Sequence, residues 1–176
     1  MIDKIKRRIA LFSIKRLFAG NSQNSLSFSR FFTNSKFLLV CIPQETEGNT
    51  YLFYTLDELL KDGKKVTLLV KEAQFEKIKS RSGYSYIIYK DEDLTRLNLP
   101  GKELARKINT NQYDLFIDLD FKESLLNYAV AGICNAQYRM GYLKDSADKF
   151  YNFQIPVVER NSEISYRNLL NSIRMF

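Results

Sequence analysis

Carboxylates are the side chains in this sequence whose types and spacing best suit chemistry. Asp114, Asp118 and Asp120 alternate along an apolar segment, so a strand there would turn all three to one face. Asp118 and Asp120 come at the carboxyl end of that strand, where carboxylate oxygens could bind a sugar hydroxyl or a cation. The alternative, which we favour, is that they cap the following helix or pair with Lys122 and Arg139.

The sequence lacks the residues that many other catalytic and metal sites require. It contains no histidine, which excludes Ser-His-Asp and Cys-His catalysis and HExxH zinc sites. Its seven glycines are well separated, so neither a GxGxxG loop nor a P-loop can cradle a phosphate. No further carboxylate cluster supports a metal site. We therefore expect neither a metal ion nor a cofactor.

Positive charge is concentrated at the amino terminus. Residues 1–36 carry eight of the 27 basic residues and one of the 20 acidic ones, which accounts for the whole net charge of +7. Residues 1–20 are predicted to form a basic amphipathic helix with two apolar stripes. One stripe consists of Ile2, Ile5, Ile9 and Phe12, and the second of Leu11, Ile14, Leu17 and Phe18. The basic residues of this helix are Lys4, Lys6, Arg7, Arg8, Lys15 and Arg16.

Three interpretations of this helix remain open. Basic residues beside Leu and Phe are typical of helices that lie on an anionic membrane surface. The helix could instead pack its apolar face on the body or on a protein partner and leave its charges in solvent. The same charges could also contact nucleic-acid phosphates, for example on a ribosome.

The remaining sequence alternates short apolar runs with helical patterns. Five strands are predicted, at residues 36–42, 66–70, 86–89, 114–119 and 138–142. Near-continuous apolar strands separated by helices are typical of a parallel sheet covered on both faces. We therefore predict an α/β fold, a single Rossmann-like, doubly wound domain over residues 36–176. Residues 21–35, rich in Ser and Asn, are predicted to be a hinge between the basic helix and this domain.

Part of this domain resembles the amino-terminal half of the heptosyltransferases, the glycosyltransferases that extend the inner core of lipopolysaccharide. Phe37-Leu-Leu-Val40 matches the first strand, Tyr113-Asp-Leu-Phe-Ile-Asp-Leu119 is like the family's YDLVIDL, and Ala136-Gln-Tyr-Arg-Met-Gly-Tyr142 is like its AKRRIGY. The length and the basic first helix are also similar to short bacterial single-domain families. The resemblance covers residues 36–155.

The resemblance implies an acceptor-side domain with parts of the enzyme missing. Heptosyltransferases have a second, donor-binding domain, and their first loop carries Gly-Asp with the Asp as catalytic base; the nearest counterpart here is Gly48-Asn49. An amide cannot accept a proton as a carboxylate does.

We therefore expect a non-catalytic half-domain, cytoplasmic or peripheral at the inner membrane face, that binds a glycolipid or a protein partner. The alternatives are a nucleic-acid or ribosome-associated protein, and an acceptor half completed by a partner. The ligand-binding candidates are Gly48, Asn49, Asp118, Asp120 and Arg139.

Overall fold

The protein is a three-layer α/β domain built on one parallel sheet. A computed structural model describes residues 2–18, 27–44, 49–158 and 161–176. Six strands lie in the order β3-β2-β1-β4-β5-β6, and every neighbouring pair is parallel. This is the Rossmann order. The predicted fold class is confirmed, with six strands where about five were expected.

The strands and helices alternate along the chain. The strands are β1 (Phe37–Cys41), β2 (Lys65–Lys71), β3 (Tyr84–Tyr89), β4 (Leu115–Asp118), β5 (Tyr138–Tyr142) and β6 (Phe153–Ile155). The helices are α1 (Ile2–Leu17), α2 (Phe31–Asn34), α3 (Thr50–Lys61), α4 (Glu72–Ile78), α5 (Lys102–Asn109), α6 (Leu125–Ile133) and α7 (Ser162–Arg174).

Apolar side chains on both faces of the sheet build two cores. In β1, Leu38 and Val40 pack with α2, α3, α4 and α7, whereas Leu39 and Cys41 pack with α1, α5 and α6. Such a strand reads as a continuous apolar run because neither of its faces meets water.

Helix α3 shows how the sequence specifies these boundaries. Leu52, Leu56 and Leu59 recur at helical spacing and are fully buried against the sheet. The Asn49 side chain caps the first turn by accepting a hydrogen bond from the Leu52 amide at 3.0 Å. The chain then turns at Gly63, whose φ of +76° is readily adopted only by glycine.

Part of the predicted hinge packs on the body. Residues 27–35 contain α2, and its Phe31 and Phe32 are buried in the core. The buried Lys64 ammonium donates hydrogen bonds to the carbonyls of Phe32 and Ser35, which fixes the end of α2 beside β2. Residues 19–26 lie outside the described residues. The described part of this segment is therefore an ordered element of the domain.

The sixth strand was not predicted from the sequence. Phe153–Ile155 is three residues long and pairs with β5 at the edge of the sheet. A run this short carries too little periodicity to be recognised without its neighbour.

Among the described helices, none has the length and apolar character needed to span a membrane.

Candidate ligand-binding site

A cavity opens at the centre of the carboxyl edge of the sheet. The chain leaves β1 toward β2 and leaves β4 toward β5, so the connections diverge between β1 and β4. In doubly wound sheets, ligands bind beyond the strands at this switch point. The cavity there has a volume of about 350 Å³. Its walls are Pro43, Gln44 and Asn49 after β1, residues 120–124 after β4, and Tyr166 of α7.

Two larger cavities lie elsewhere. One of about 400 Å³ lies between α3 and α7, and one of about 740 Å³ lies at the amino ends of β1 to β3. Position in the fold decides between them, because size alone does not identify a site. The cavity at the switch point is the candidate.

Asn49 forms one wall of the cavity in a fixed orientation. Its side-chain oxygen is held by the Leu52 amide, and its Nδ2 group donates to the Tyr166 hydroxyl at 3.4 Å. The Tyr166 hydroxyl donates in turn to the Leu119 carbonyl at 3.3 Å. Burial raises the pKa of Tyr166, so its hydroxyl stays protonated at neutral pH. Gly48, the neighbouring candidate, lies outside the described residues.

Asp120 lines the same cavity from the loop after β4 and is partly buried. The loop after β4 turns so that its Oδ1 accepts a hydrogen bond from the Lys122 amide at 2.9 Å. Burial raises the pKa of this carboxyl, and the nearby charge of Asp118 raises it further; the Lys122 amide and the Lys144 ammonium act in the opposite direction. A carboxylate with a raised pKa in a cavity is a candidate for binding or proton transfer.

Asp118 serves the fold instead of the cavity. Its carboxylate is fully buried and accepts hydrogen bonds from four donors. These are Lys144 Nζ at 2.6 Å, Tyr151 OH at 2.7 Å, Asn127 Nδ2 at 2.8 Å and the Asp120 amide at 3.0 Å. Both oxygens are therefore occupied, and the carboxylate ties β4 to α6 and to the chain after β5.

The three aspartates do not share one strand face. β4 ends at Asp118 and begins after Asp114, whose Oδ2 accepts from the Lys36 and Phe37 amides at the opposite edge of the sheet. Asp120 lies in the following loop. Alternation along a strand was the wrong basis for grouping them, because the strand is four residues long.

Arg139 lies away from the cavity, near the amino end of β5. Its guanidinium donates to the carbonyls of Phe150 and Ala136 at 3.0 and 2.9 Å and lies 5.1 Å from the Phe18 ring. Of the four candidates that the structure describes, Asn49 and Asp120 line one cavity, and Asp118 and Arg139 do not.

Several cavity residues were not recognised from the sequence. Tyr166 lies at helical spacing with Leu169, Leu170 and Ile173, which indicates only a buried helix face. Its hydroxyl lies beside Asn49, a residue 117 positions away. Ser124 carried a local signal, since its hydroxyl accepts from the Asn127 amide and caps α6. Gln44 carried none. Within the described residues, no group of three or more Cys, Asp or Glu side chains is placed to hold a metal ion.

The basic residues of α1 divide into two groups. Arg7 forms an ion pair with Glu123, a cavity residue, and its Nη2 donates to Ser146 Oγ at 3.3 Å. The other five basic residues, Lys4, Lys6, Arg8, Lys15 and Arg16, are exposed. Arg7 is exposed too, and within the described residues it is the one of the six that pairs with the body.

Comparison with solved structures identifies the fold. The chain superposes with a TM-score of 0.62 on the crystal structure of a family 9 glycosyl transferase from Veillonella parvula DSM 2008. The domain has a glycosyltransferase-like fold. The two sequences are 19% identical, and the match covers 78% of this chain. This glycosyltransferase-like domain spans about two fifths (41%) of the length of that structure.

The sequence comparisons are less informative. No protein-family model matches the glycosyltransferase-like domain, and no curated protein is significantly similar to it. The structural match alone supports the resemblance seen in residues 36–155, at the level of fold, since family 9 includes the heptosyltransferases.

The raised pKa of Asp120 predicts that this residue destabilises the fold at neutral pH. The folded protein holds the Asp120 proton more tightly than the unfolded chain does, so ionisation costs stability above the raised pKa. We expect Asp120→Asn to increase the free energy of unfolding at pH 7, measured by urea denaturation. The gain should shrink as the pH falls through the raised pKa and vanish below the ordinary aspartate pKa, where both proteins are neutral at this position.

The control is Asp148→Asn, which replaces an exposed carboxylate near the end of β5. Its effect should stay within about 0.5 kcal/mol at every pH. A variant at position 120 that is less stable than wild type at pH 7 would show that the carboxylate supports the fold.

Proposed function

We propose that this glycosyltransferase-like domain binds the carbohydrate part of a glycolipid at the switch-point cavity and does not transfer a sugar by itself. It would act as a binding or scaffold protein at the inner face of a membrane. The observation that carries the proposal is that Asp120 and Asn49 line one cavity, at the edge where such folds bind ligands.

The chemistry of the walls suits a hydroxyl-rich ligand. Asp120 supplies carboxylate oxygens that accept hydrogen bonds from sugar hydroxyls, and such charged bonds are stronger than neutral ones. The rings of Phe121 and Tyr166 also line the cavity, 5.0 Å apart, and give the apolar face of a sugar a surface to pack on. A lining that combines polar groups with aromatic rings favours a carbohydrate over a purely apolar ligand.

The absence of autonomous transfer is supported by the residue at position 49. The resemblance implies a catalytic carboxylate there, whereas the Asn49 amide caps α3 and contacts Tyr166. An amide in this position orients a ligand but removes no proton from an acceptor hydroxyl.

A second candidate function is sugar transfer completed by a partner that supplies a donor domain. The observation that favours it is Asp120 itself, since a carboxylate with a raised pKa is better suited to act as a general base. Under this alternative, release of nucleotide from a nucleotide-activated heptose would require Asp120. Release by the purified chain alone, lost in Asp120→Asn, would overturn the non-catalytic assignment.

Calorimetric titration tests the binding function. We expect the deacylated inner-core oligosaccharide of lipopolysaccharide to bind the full chain, and Asp120→Asn to weaken binding tenfold to a hundredfold, because a hydrogen bond to a charged group contributes about 1.5–3 kcal/mol. Affinity should also fall as Asp120 becomes protonated, at a higher pH than for an ordinary aspartate.

Asp148→Asn is again the matched control and should bind like wild type. Absence of binding, or equal affinity in all three proteins, would contradict carbohydrate recognition at this cavity.

A further inference from the structure

Helix α1 is held on the body by one of its faces. Ala10 and Ile14 are fully buried, and the helix packs along α6. The approach is close at Gly132, where an added Cβ would lie 2.8 Å from the Cβ of Leu17. Phe18 follows the helix, with its ring 5.5 Å from that of Phe150. These contacts determine which face of α1 points outward.

The outward face carries a stripe of large apolar side chains. Ile5, Ile9 and Phe12 lie one turn apart, and their exposed fractions are 53%, 51% and 60%. We call these three residues the exposed stripe. Contiguous exposed apolar residues on one surface mark an interaction site, because single exposed residues are common and aligned ones are not.

Cations flank the exposed stripe on both sides. At 3.6 residues per turn, Lys4, Arg8 and Lys15 fall on one side of it and Lys6 on the other. Arg16 lies within the stripe, with its guanidinium 4.7 Å from the Phe12 ring centre. The sequence from residue 4 to residue 18 contains no acidic residue. An apolar strip bordered by three cations on one side and one on the other is complementary to lipid chains beneath anionic headgroups.

We propose that the exposed stripe and its flanking cations are the surface by which this chain docks on an anionic lipid bilayer. The inference supplies the contact surface for the peripheral placement in the proposed function. Phosphates of a nucleic acid would use the cations but leave the stripe in water. A second copy of α1 would bring the cations of both helices together. A bilayer with anionic headgroups satisfies both features at once.

The contacts of α1 also determine which part of the body faces the bilayer. Arg7 reaches Glu123 at the start of α6, and Leu17 reaches Gly132 near its end, so α1 runs alongside α6 in the same direction. The amino-terminal half of α1 therefore lies at the sheet edge that holds the cavity. Docking through the exposed stripe brings the Glu123 wall of the cavity close to the headgroups.

Vesicle flotation of the full chain tests the proposal. We expect binding to vesicles of phosphatidylcholine and phosphatidylglycerol, with at least tenfold weaker partition into phosphatidylcholine alone. Ile9→Glu and Phe12→Glu should each weaken partition at least tenfold while leaving thermal unfolding unchanged. Arg8→Glu combined with Lys15→Glu should weaken it similarly, and added salt should reduce wild-type binding.

The matched control is Ile164→Glu in α7, which places the same charge on an exposed isoleucine of the other helical layer. It should float like wild type. Absent binding to anionic vesicles, or wild-type partition by both stripe variants, would overturn the proposal. The proposal would also be overturned if the wild-type chain bound RNA or self-associated, lost this binding in the stripe variants, and did not bind vesicles. Ile9→Glu should keep full affinity for the oligosaccharide, so lipid docking and carbohydrate binding can fail separately.

Discussion

Asp118→Ala is expected to lower the free energy of unfolding by about 3–5 kcal/mol, because removing one partner of a buried ion pair leaves the other charge buried and uncompensated. The Lys144 ammonium lies 2.6 Å from Asp118 Oδ2, and the two side chains are 3% and 0% exposed. Tyr151 and Asn127 lose their acceptor in the same variant. Urea denaturation at neutral pH measures the change.

Two further variants test whether the burial of the ion pair determines the size of the loss. Glu103→Ala breaks an exposed pair with Arg106, 2.7 Å long, and should cost less than about 1 kcal/mol. Asp118→Leu combined with Lys144→Met should be less destabilising than the sum of the two single changes, because no charge is then stranded. A loss below about 1 kcal/mol for Asp118→Ala would show that water or another group compensates the lysine.

Ile14→Glu is the second change with a large expected effect, because Ile14 is fully buried on the face of α1 that packs against the body. An unpaired carboxylate there should cost about 3 kcal/mol or more, up to the free energy with which α1 is docked. Beyond that limit α1 detaches while the sheet stays folded. Limited proteolysis should therefore cleave residues 2–18 in this variant before the rest of the chain, and hydrogen exchange in α1 should become fast.

Ile9→Glu is the matched change on the other face of the same helix. Ile9 is 51% exposed, so the stability change should stay within about 0.5 kcal/mol and α1 should remain protected. Equal losses at positions 9 and 14 would mean that α1 does not pack by one face, and a larger loss at position 9 would mean that the two faces are assigned the wrong way round.

The main elements of the fold could be predicted because their signals are local. The apolar runs of β1, β2 and β4 are buried on both faces, so each is visible without knowledge of its neighbours. β6 was missed because three residues become a strand only through pairing with β5. The burial of Phe31 was missed because the polar residues around it resemble a linker.

The candidate site was less predictable because its contacts are long-range. Asn49 and Asp120 were recognised as candidates, but only the fold shows that they face one cavity. Lys122 and Arg139 were predicted as the partners of Asp118 and Asp120, whereas Asp118 pairs with Lys144, 26 positions away. For α1, both apolar stripes were visible in the sequence, but its pattern could not indicate which one packs on α6.

The most direct test of the central claim, carbohydrate binding at the switch point, is an amide chemical-shift map of the full chain titrated with the inner-core oligosaccharide. We predict the largest changes at Asn49 and at residues 120–124, which line the cavity between β1 and β4. Changes confined to residues 110–114, at the opposite edge of the sheet, or no changes at saturating oligosaccharide, would contradict the account.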